Sequence, residues 1–268
     1  MNNKIVVIDS GIGGLHILNH CENLINDAKL IYIADTLNAP YGSKNKKELR
    51  RIAVTLIQNV KERYNPRIIV LACNTLTVNS INYLRKKFPE IKFIGTEPAL
   101  KRAIIYGGDT LVLSTPSTKK HISALHKKII WQIRREHKKL HLRYYHDSNL
   151  YKLSIKNLAT AIETNLENLD NVIPLLQRFF SNPKHRTCQN LVIGCTHYTA
   201  IIPQIQQVLP NVQIFDGCTG VAKQILRVRN ELGFESDKKP TVEFISTDNK
   251  EESLQKIKKY YLKIRTIN

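Results

Sequence analysis

The chain has 268 residues, enough for one large domain or two small ones and for a real buried core. Hydrophobic residues make up 42% and charged residues 24%, an ordinary globular balance that excludes wholesale disorder. Lys and Arg number 41 against 22 Asp and Glu, and the resulting net charge of +19 favours anionic partners, from small carboxylates to nucleic acid, without saying anything about the fold.

In chain order, short apolar runs lead into small or polar clusters and then into longer amphipathic stretches. Ile5-Val6-Val7-Ile8 leads into Asp9-Ser10-Gly11, and a helical pattern carrying Leu15, Leu18 and Cys21 follows. Leu30-Ile31-Tyr32-Ile33 leads into Ala34-Asp35-Thr36 and a polar loop ending Pro40-Tyr41-Gly42. Leu49, Ile52, Leu56, Asn59, Val60 and Arg63 then recur at helical spacing. Ile68-Ile69-Val70-Leu71 leads into Ala72-Cys73-Asn74-Thr75, Phe93-Ile94 into Gly95-Thr96-Glu97-Pro98, and Leu111-Val112-Leu113 into Ser114-Thr115. A strongly basic segment from Lys119 to Arg143 carries Ile122, Leu125, Ile129 and Ile133 at helical spacing. It reads as a solvated surface helix, with a nucleic-acid face as the other reading. Leu191-Val192-Ile193 leads into Gly194-Cys195-Thr196-His197.

Continuous β-branched runs of this length are strands buried on both faces of a sheet, and their alternation with helices implies βαβ units and a mostly parallel sheet. In such sheets ligands sit beyond the carboxyl ends of the strands, which is where every polar cluster named above falls. Passages between domains are read at Thr96-Glu97-Pro98 and near Pro210-Asn211. They predict a first α/β domain of residues 1–97 plus 211–268 and a second of 98–210.

The five cysteines, Cys21, Cys73, Cys188, Cys195 and Cys218, are odd in number and form no C-x-x-C pair, which argues against a disulfide framework and a structural zinc site. The apolar run at the N-terminus is too short for a signal peptide, and no stretch approaches the ~18–20 apolar residues of a membrane span. The expectation is a soluble, cytoplasmic protein without a membrane or a bound metal. Cys73 and Cys195 alone lie where a strand ends and a helix begins, a place that lowers a thiol's pKa. Their surroundings also echo each other: apolar strand, small residue, cysteine, polar residue, threonine nearby. Two equivalent halves, each offering one such cysteine, would bring two thiols face to face. Asp9-Ser10-Gly11-Ile12-Gly13-Gly14 lacks G-x-G-x-x-G spacing and is not a dinucleotide loop. Its aspartate can cap a helix, orient an ammonium or hydrogen-bond a thiol.

Five motifs, taken in order, resemble the aspartate/glutamate racemase superfamily and its glutamate racemase family in particular. They are Asp9-Ser10-Gly11-Ile12-Gly13-Gly14, Ala34-Asp35 through Pro40-Tyr41-Gly42, Ala72-Cys73-Asn74-Thr75, Gly95-Thr96-Glu97-Pro98, and Gly194-Cys195-Thr196-His197-Tyr198. The resemblance implies two similar Rossmann/flavodoxin-like parallel-sheet α/β domains with the active site at their interface. It implies cofactor-independent conversion of L-glutamate to D-glutamate by two cysteines acting as bases on opposite faces of Cα, in service of peptidoglycan synthesis, with a homodimer among the assemblies open to it. Catalytic roles pass to Cys73 and Cys195, with Asp9 near the first thiol and His197 near the second. Ser10, Asn74, Thr75 and Thr196 are implied binders of the ammonium and α-carboxylate, and Tyr41, Gly42 and Thr118 of the side-chain carboxylate.

The family's second-domain Glu has no clear match between Tyr144 and Lys156, where Asp147 is the available substitute. Thr199 stands where the family has proline, and Thr115-Pro116-Ser117-Thr118 keeps only the threonines of its motif. Competing readings are an aspartate or broad-specificity racemase and, on charge alone, a basic nucleic-acid-binding protein.

Overall fold

The computed structural model describes residues 3–25, 28–136, 148–234 and 241–267. The chain divides into two compact units, one of Met1–Glu97 with Cys218–Asn268, the other of Pro98–Gly217.

The first unit is built on strands β1 (Lys4–Asp9), β2 (Lys29–Ala34), β3 (Ile68–Leu71), β4 (Lys92–Gly95) and β9 (Thr241–Ser246), in the order β4-β3-β1-β2-β9. All neighbours are parallel. Helices α1 (Leu15–Leu24), α2 (Lys46–Tyr64), α3 (Asn74–Lys87), α10 (Cys218–Glu231) and α11 (Glu251–Ile267) belong to the same unit. The central strands are apolar throughout because both faces are covered; Ile5, Val6, Val7 and Ile8 have no exposed surface. In α2 the Asn45 side chain accepts from the Glu48 N–H at the start, and Asn65, at φ 44°, closes the end in the left-handed region. Its buried stripe is Leu49, Ile52, Ala53, Ile57, Val60 and Tyr64. Leu56 is only half-buried and Asn59 and Arg63 are exposed, so the expected helix stands with its inward face turned slightly.

The second unit holds β5 (Thr110–Ser114), β6 (Leu150–Leu153), β7 (Asn190–Gly194) and β8 (Gln213–Phe215), in the order β6-β5-β7-β8 and again all parallel. Its helices among the described residues are α4 (Leu100–Tyr106), α5 (Pro116–Glu136), α6 (Leu158–Thr164), α7 (Ile173–Phe180), α8 (Pro183–Arg186) and α9 (Ile202–Val208). Ile122, Leu125, Ile129 and Ile133 of α5 pack into the core with Val112, Val192 and Phe215. Lys120, Lys127, Lys128, Arg134 and Arg135 lie exposed on the opposite side of that helix. Lys138, Lys139 and Arg143 lie outside the described residues.

Both units are thus parallel-sheet α/β structures, as the alternation of runs implies. The return to the first unit falls at Cys218 and not at Pro210-Asn211, because β8 hydrogen-bonds β7 and belongs with it. Among the described residues, no helix is long and apolar enough to cross a membrane.

Candidate active site

The sheet order fixes where chemistry can occur in each unit. In the first, the chain runs from β1 to β2 on one side and returns to place β3 on the other side of β1. The connections diverge between β1 and β3, and the crevice at such a switch point, outside the carboxyl ends, is where open parallel sheets bind ligands. Asp9 ends β1, and Cys73 follows β3 by two residues. In the second unit β5 is flanked by β6 and β7, so the switch point lies between β5 and β7. Ser114 ends β5, and Cys195 directly follows β7. The echo between the two cysteine segments therefore has a topological basis: each occupies the same place in its own sheet.

Around the first switch point, Asp9 is fully buried and its Oδ2 accepts the Gly11 N–H at 3.1 Å. Asp9 is the last residue of its strand, not a helix cap; Gly14 precedes α1. The Tyr32 hydroxyl donates to the Gly11 carbonyl at 2.7 Å, pinning the loop. A Cβ on Gly14 would stand 2.9 Å from the Cβ atoms of both Asp9 and Ala72, so only glycine lets the loop pass this close. Cys73 is extended (φ −120°, ψ 120°) and sits at the N-cap of α3, with its thiol making no capping hydrogen bond. Asn74 and Thr75 form the first turn of that helix and are buried. The Asn74 Oδ1 is buried with no hydrogen-bond partner among the described residues, an acceptor lacking the partner that buried polar atoms normally have. Ser10 is buried beside Asp9.

Tyr41 and Gly42 lie in a single 3-10 turn, Tyr41–Ser43, after a cis Ala39–Pro40 bond. The Tyr41 hydroxyl donates to Asp35 Oδ2. Burial, then the Asp35 carboxylate, with smaller contributions from Cys73 and Asp9, raise this phenol well above its ordinary pKa, so it stays protonated as a donor.

Around the second switch point, Cys195 is the N-cap of a 3-10 run, Thr196–Ile201, rather than of an α-helix; α9 begins after it. Thr196, His197 and Tyr198 are buried. The His197 Nε2 meets Glu163 Oε1 of α6 at 2.7 Å. Glu163 lies beyond the Tyr144–Lys156 stretch, in which the sequence offers Asp147 as the acidic group. Asp147 lies outside the described residues. No local pattern singles out Glu163: Leu158 and Ile162 mark α6 as a small packing helix, and the pairing with His197 spans 34 residues. Burial and the neighbouring Cys195 push the Tyr198 phenol well up. Thr118 is fully buried in the first turn of α5, where its N–H donates to Thr115 Oγ1 at 3.2 Å and its own Oγ1 accepts from that hydroxyl at 3.1 Å.

Of the other thiols, Cys218 is buried as the first residue of α10, and two are shifted upward. Burial pushes Cys21 up to about 12, and burial with Asp109 pushes Cys188 up to about 11. Cys188 precedes β7 and is buried, its thiol donating to the Lys184 carbonyl. Among the described residues, no three His, Cys, Asp or Glu side chains gather as a metal site.

Gly194 shows how closely the second unit is built at this point. A Cβ there would stand 2.8 Å from Ser114 Cβ and 3.0 Å from the Leu113 carbonyl oxygen. Gly194→Ala is expected to cost roughly 1–3 kcal/mol of stability through overpacking, read as a lower urea midpoint with unchanged slope. An unchanged midpoint would contradict that packing.

No family model matches the chain. It is 30% identical over 264 residues to the glutamate racemase of Clostridium botulinum, covering 96% of each chain. It is 32% identical over 228 residues to that of Clostridium acetobutylicum, covering 84% of each. Its fold matches the Escherichia coli glutamate racemase crystallised with L-glutamate and the activator UDP-MurNAc-Ala, with a TM-score of 0.81 at 24% identity over 97% of this chain and 96% of that one. It also matches the Francisella tularensis glutamate racemase in complex with D-glutamate, with a TM-score of 0.78 at 22% identity over 98% and 94%.

Proposed function

The chain belongs to the glutamate racemase family, and on that premise we propose that it interconverts L- and D-glutamate by moving the α-proton between two thiols, Cys73 and Cys195. The observation that carries the proposal is the equivalence of the two cysteines. Each is nearly buried, extended, and placed at the switch point of its own parallel sheet, where a helical segment starts.

The chemistry demands such a pair. An amino-acid α-proton is weakly acidic, so the base must be held close and out of water. One cysteine thiolate takes the proton, forming S–H as the C–H electron pair stays on Cα. The second cysteine gives its own S–H proton to the opposite face and becomes thiolate. The enzyme then returns to its starting protonation before the next turnover in that direction. A single base on one face tends to return the proton it took; two bases invert. Here cysteine is a general acid and base, not a nucleophile.

The surroundings of the other groups support the remaining roles. Asp9, aimed by the Gly11 N–H, serves the Cys73 side. His197, held by Glu163, serves the Cys195 side, with Glu163 a positioning residue that fixes the ring. The unused Asn74 Oδ1 accepts from the substrate ammonium, and Ser10, Thr75 and Thr196 complete the hold on the ammonium and α-carboxylate. The Tyr41 hydroxyl is committed to Asp35, so the distal carboxylate is taken by the backbone N–H groups of Tyr41 and Gly42, which a one-turn 3-10 helix leaves without intrahelical acceptors, together with Thr118. The D-glutamate formed supplies peptidoglycan precursors.

The test is racemisation in D₂O without added pyridoxal phosphate. Deuterium should enter Cα as optical rotation decays, whichever enantiomer is supplied. Inversion that keeps the original proton on carbon would refute the two-base route. Faster exchange of aspartate than of glutamate would shift the substrate to the shorter dicarboxylate.

A further inference from the structure

We infer that Asp35 and Thr247 are positioning residues that set where the Tyr41–Gly42 backbone stands, and so how tightly the substrate's distal carboxylate is held; the inference rests on the reading of that turn given above. Asp35 follows β2 directly and is 1% exposed. A carboxylate this deeply buried must be met by donors. Asn38 Nδ2 reaches both its oxygens at 3.0 Å, the Tyr41 hydroxyl donates to Oδ2, and the Thr247 hydroxyl donates to Oδ1 at 2.7 Å. One anion therefore gathers the middle and the end of the 35–43 loop and ties them to the segment after β9.

That segment is clasped to the loop at further points. The Thr247 N–H donates to the Ala34 carbonyl at 3.0 Å, and its Oγ1, while donating to Asp35, accepts the Leu37 N–H at 3.1 Å. Ser246 donates to Asp248 Oδ1 at 2.7 Å, so the 2.6 Å contact between Ser246 and Thr36 has the Thr36 hydroxyl as donor. The Asp248 N–H in turn donates to Thr36 Oγ1 at 3.3 Å, and Ser253 of α11 donates to Asp248 Oδ2 at 2.7 Å. The polar turn between β9 and α11 is thus a buttress for the substrate loop, although more than 200 residues of sequence separate them. Hydrogen bonds to a charged group are the strong class, and Thr247 contributes one from outside the loop. Losing it frees the loop without touching the thiols.

The experiment measures KM, kcat and inhibition by glutarate, which keeps both carboxylates and lacks the ammonium, for Thr247→Val, Thr247→Ser and Asp35→Asn. Thr247→Val is expected to raise KM for L-glutamate and the glutarate inhibition constant about tenfold each, with kcat within about threefold. Asp35→Asn should do at least as much, and Thr247→Ser should restore wild-type values. Should Thr247→Val fail to fold, Asn38→Ala, a half-buried change that removes one donor from the same carboxylate, should raise KM about threefold. Unchanged KM and glutarate inhibition in these variants, or a fall in kcat alone, overturns the positioning role. A wild-type chain that exchanges no α-proton of glutamate overturns the racemase reading itself, a result separable from the first.

Discussion

Cys73→Ser and Cys195→Ser are each expected to lower racemisation by about a thousandfold or more, the upper range for removing a general acid or base. An alcohol is far less acidic than a thiol, so serine neither carries the charge needed to take the α-proton nor stands ready to return one at neutral pH. Each variant loses both directions, because a proton taken on one face must be replaced from the other. The controls are Cys21→Ser and Cys188→Ser, which should keep near wild-type rates. Their thiols are held protonated by burial, at about 12 and about 11, so neither supplies thiolate at neutral pH. Circular dichroism with either enantiomer measures all four. Full activity in Cys73→Ser or Cys195→Ser sinks the two-thiol scheme; inactivity of folded Cys21→Ser would place an essential thiol at Cys21 instead.

The second large effect concerns the His197–Glu163 pair. His197→Asn is expected to cut turnover about 10²-fold, and Glu163→Gln somewhat less, since the amide keeps the shape but not the charge that holds the imidazole. Residues acting as one unit are not additive, so the double variant should fall little below His197→Asn alone. The equilibrium constant of a racemisation is one, so kcat/KM stays equal in the two directions whatever is mutated. The asymmetry must therefore be sought in kcat and KM separately, and in the deuterium isotope effect measured from each enantiomer. Under the proposed scheme, in which they serve different thiols, His197 and Glu163 variants should bias one direction and Asp9→Asn the other. Identical profiles for Asp9→Asn and His197→Asn, or strictly multiplicative losses for the pair, would count against these assignments.

The amino-acid sequence by itself determined the buried strands and the residues at their carboxyl ends. Runs such as Ile5-Val6-Val7-Ile8 and Ile68-Ile69-Val70-Leu71 have no polar side to solvate, which marks them as interior strands; Asp9 ends the first, and Cys73 follows the second by two residues. The same logic identified Gly194-Cys195-Thr196-His197. The edge strands β6, β8 and β9 were not legible: Leu150–Leu153, Gln213–Phe215 and Thr241–Ser246 are covered on fewer sides and carry mixed residues. β8 also carries the second unit past Pro210-Asn211 to Gly217, through a pairing with β7 that leaves no local mark.

Tertiary structure alone decided the partners of the polar groups. Glu163 sits in a short helix with no signal of its own, and only the packing of α6 brings its carboxylate to His197. Asp35 belongs to a recognisable motif and holds Tyr41 within its own loop, yet its tie to Thr247 depends on β9 adding to the edge of β2. Apolar periodicity is a local property that burial imposes on successive residues. A hydrogen bond between distant side chains leaves no such trace, because any donor brought near by the fold can satisfy the same oxygen.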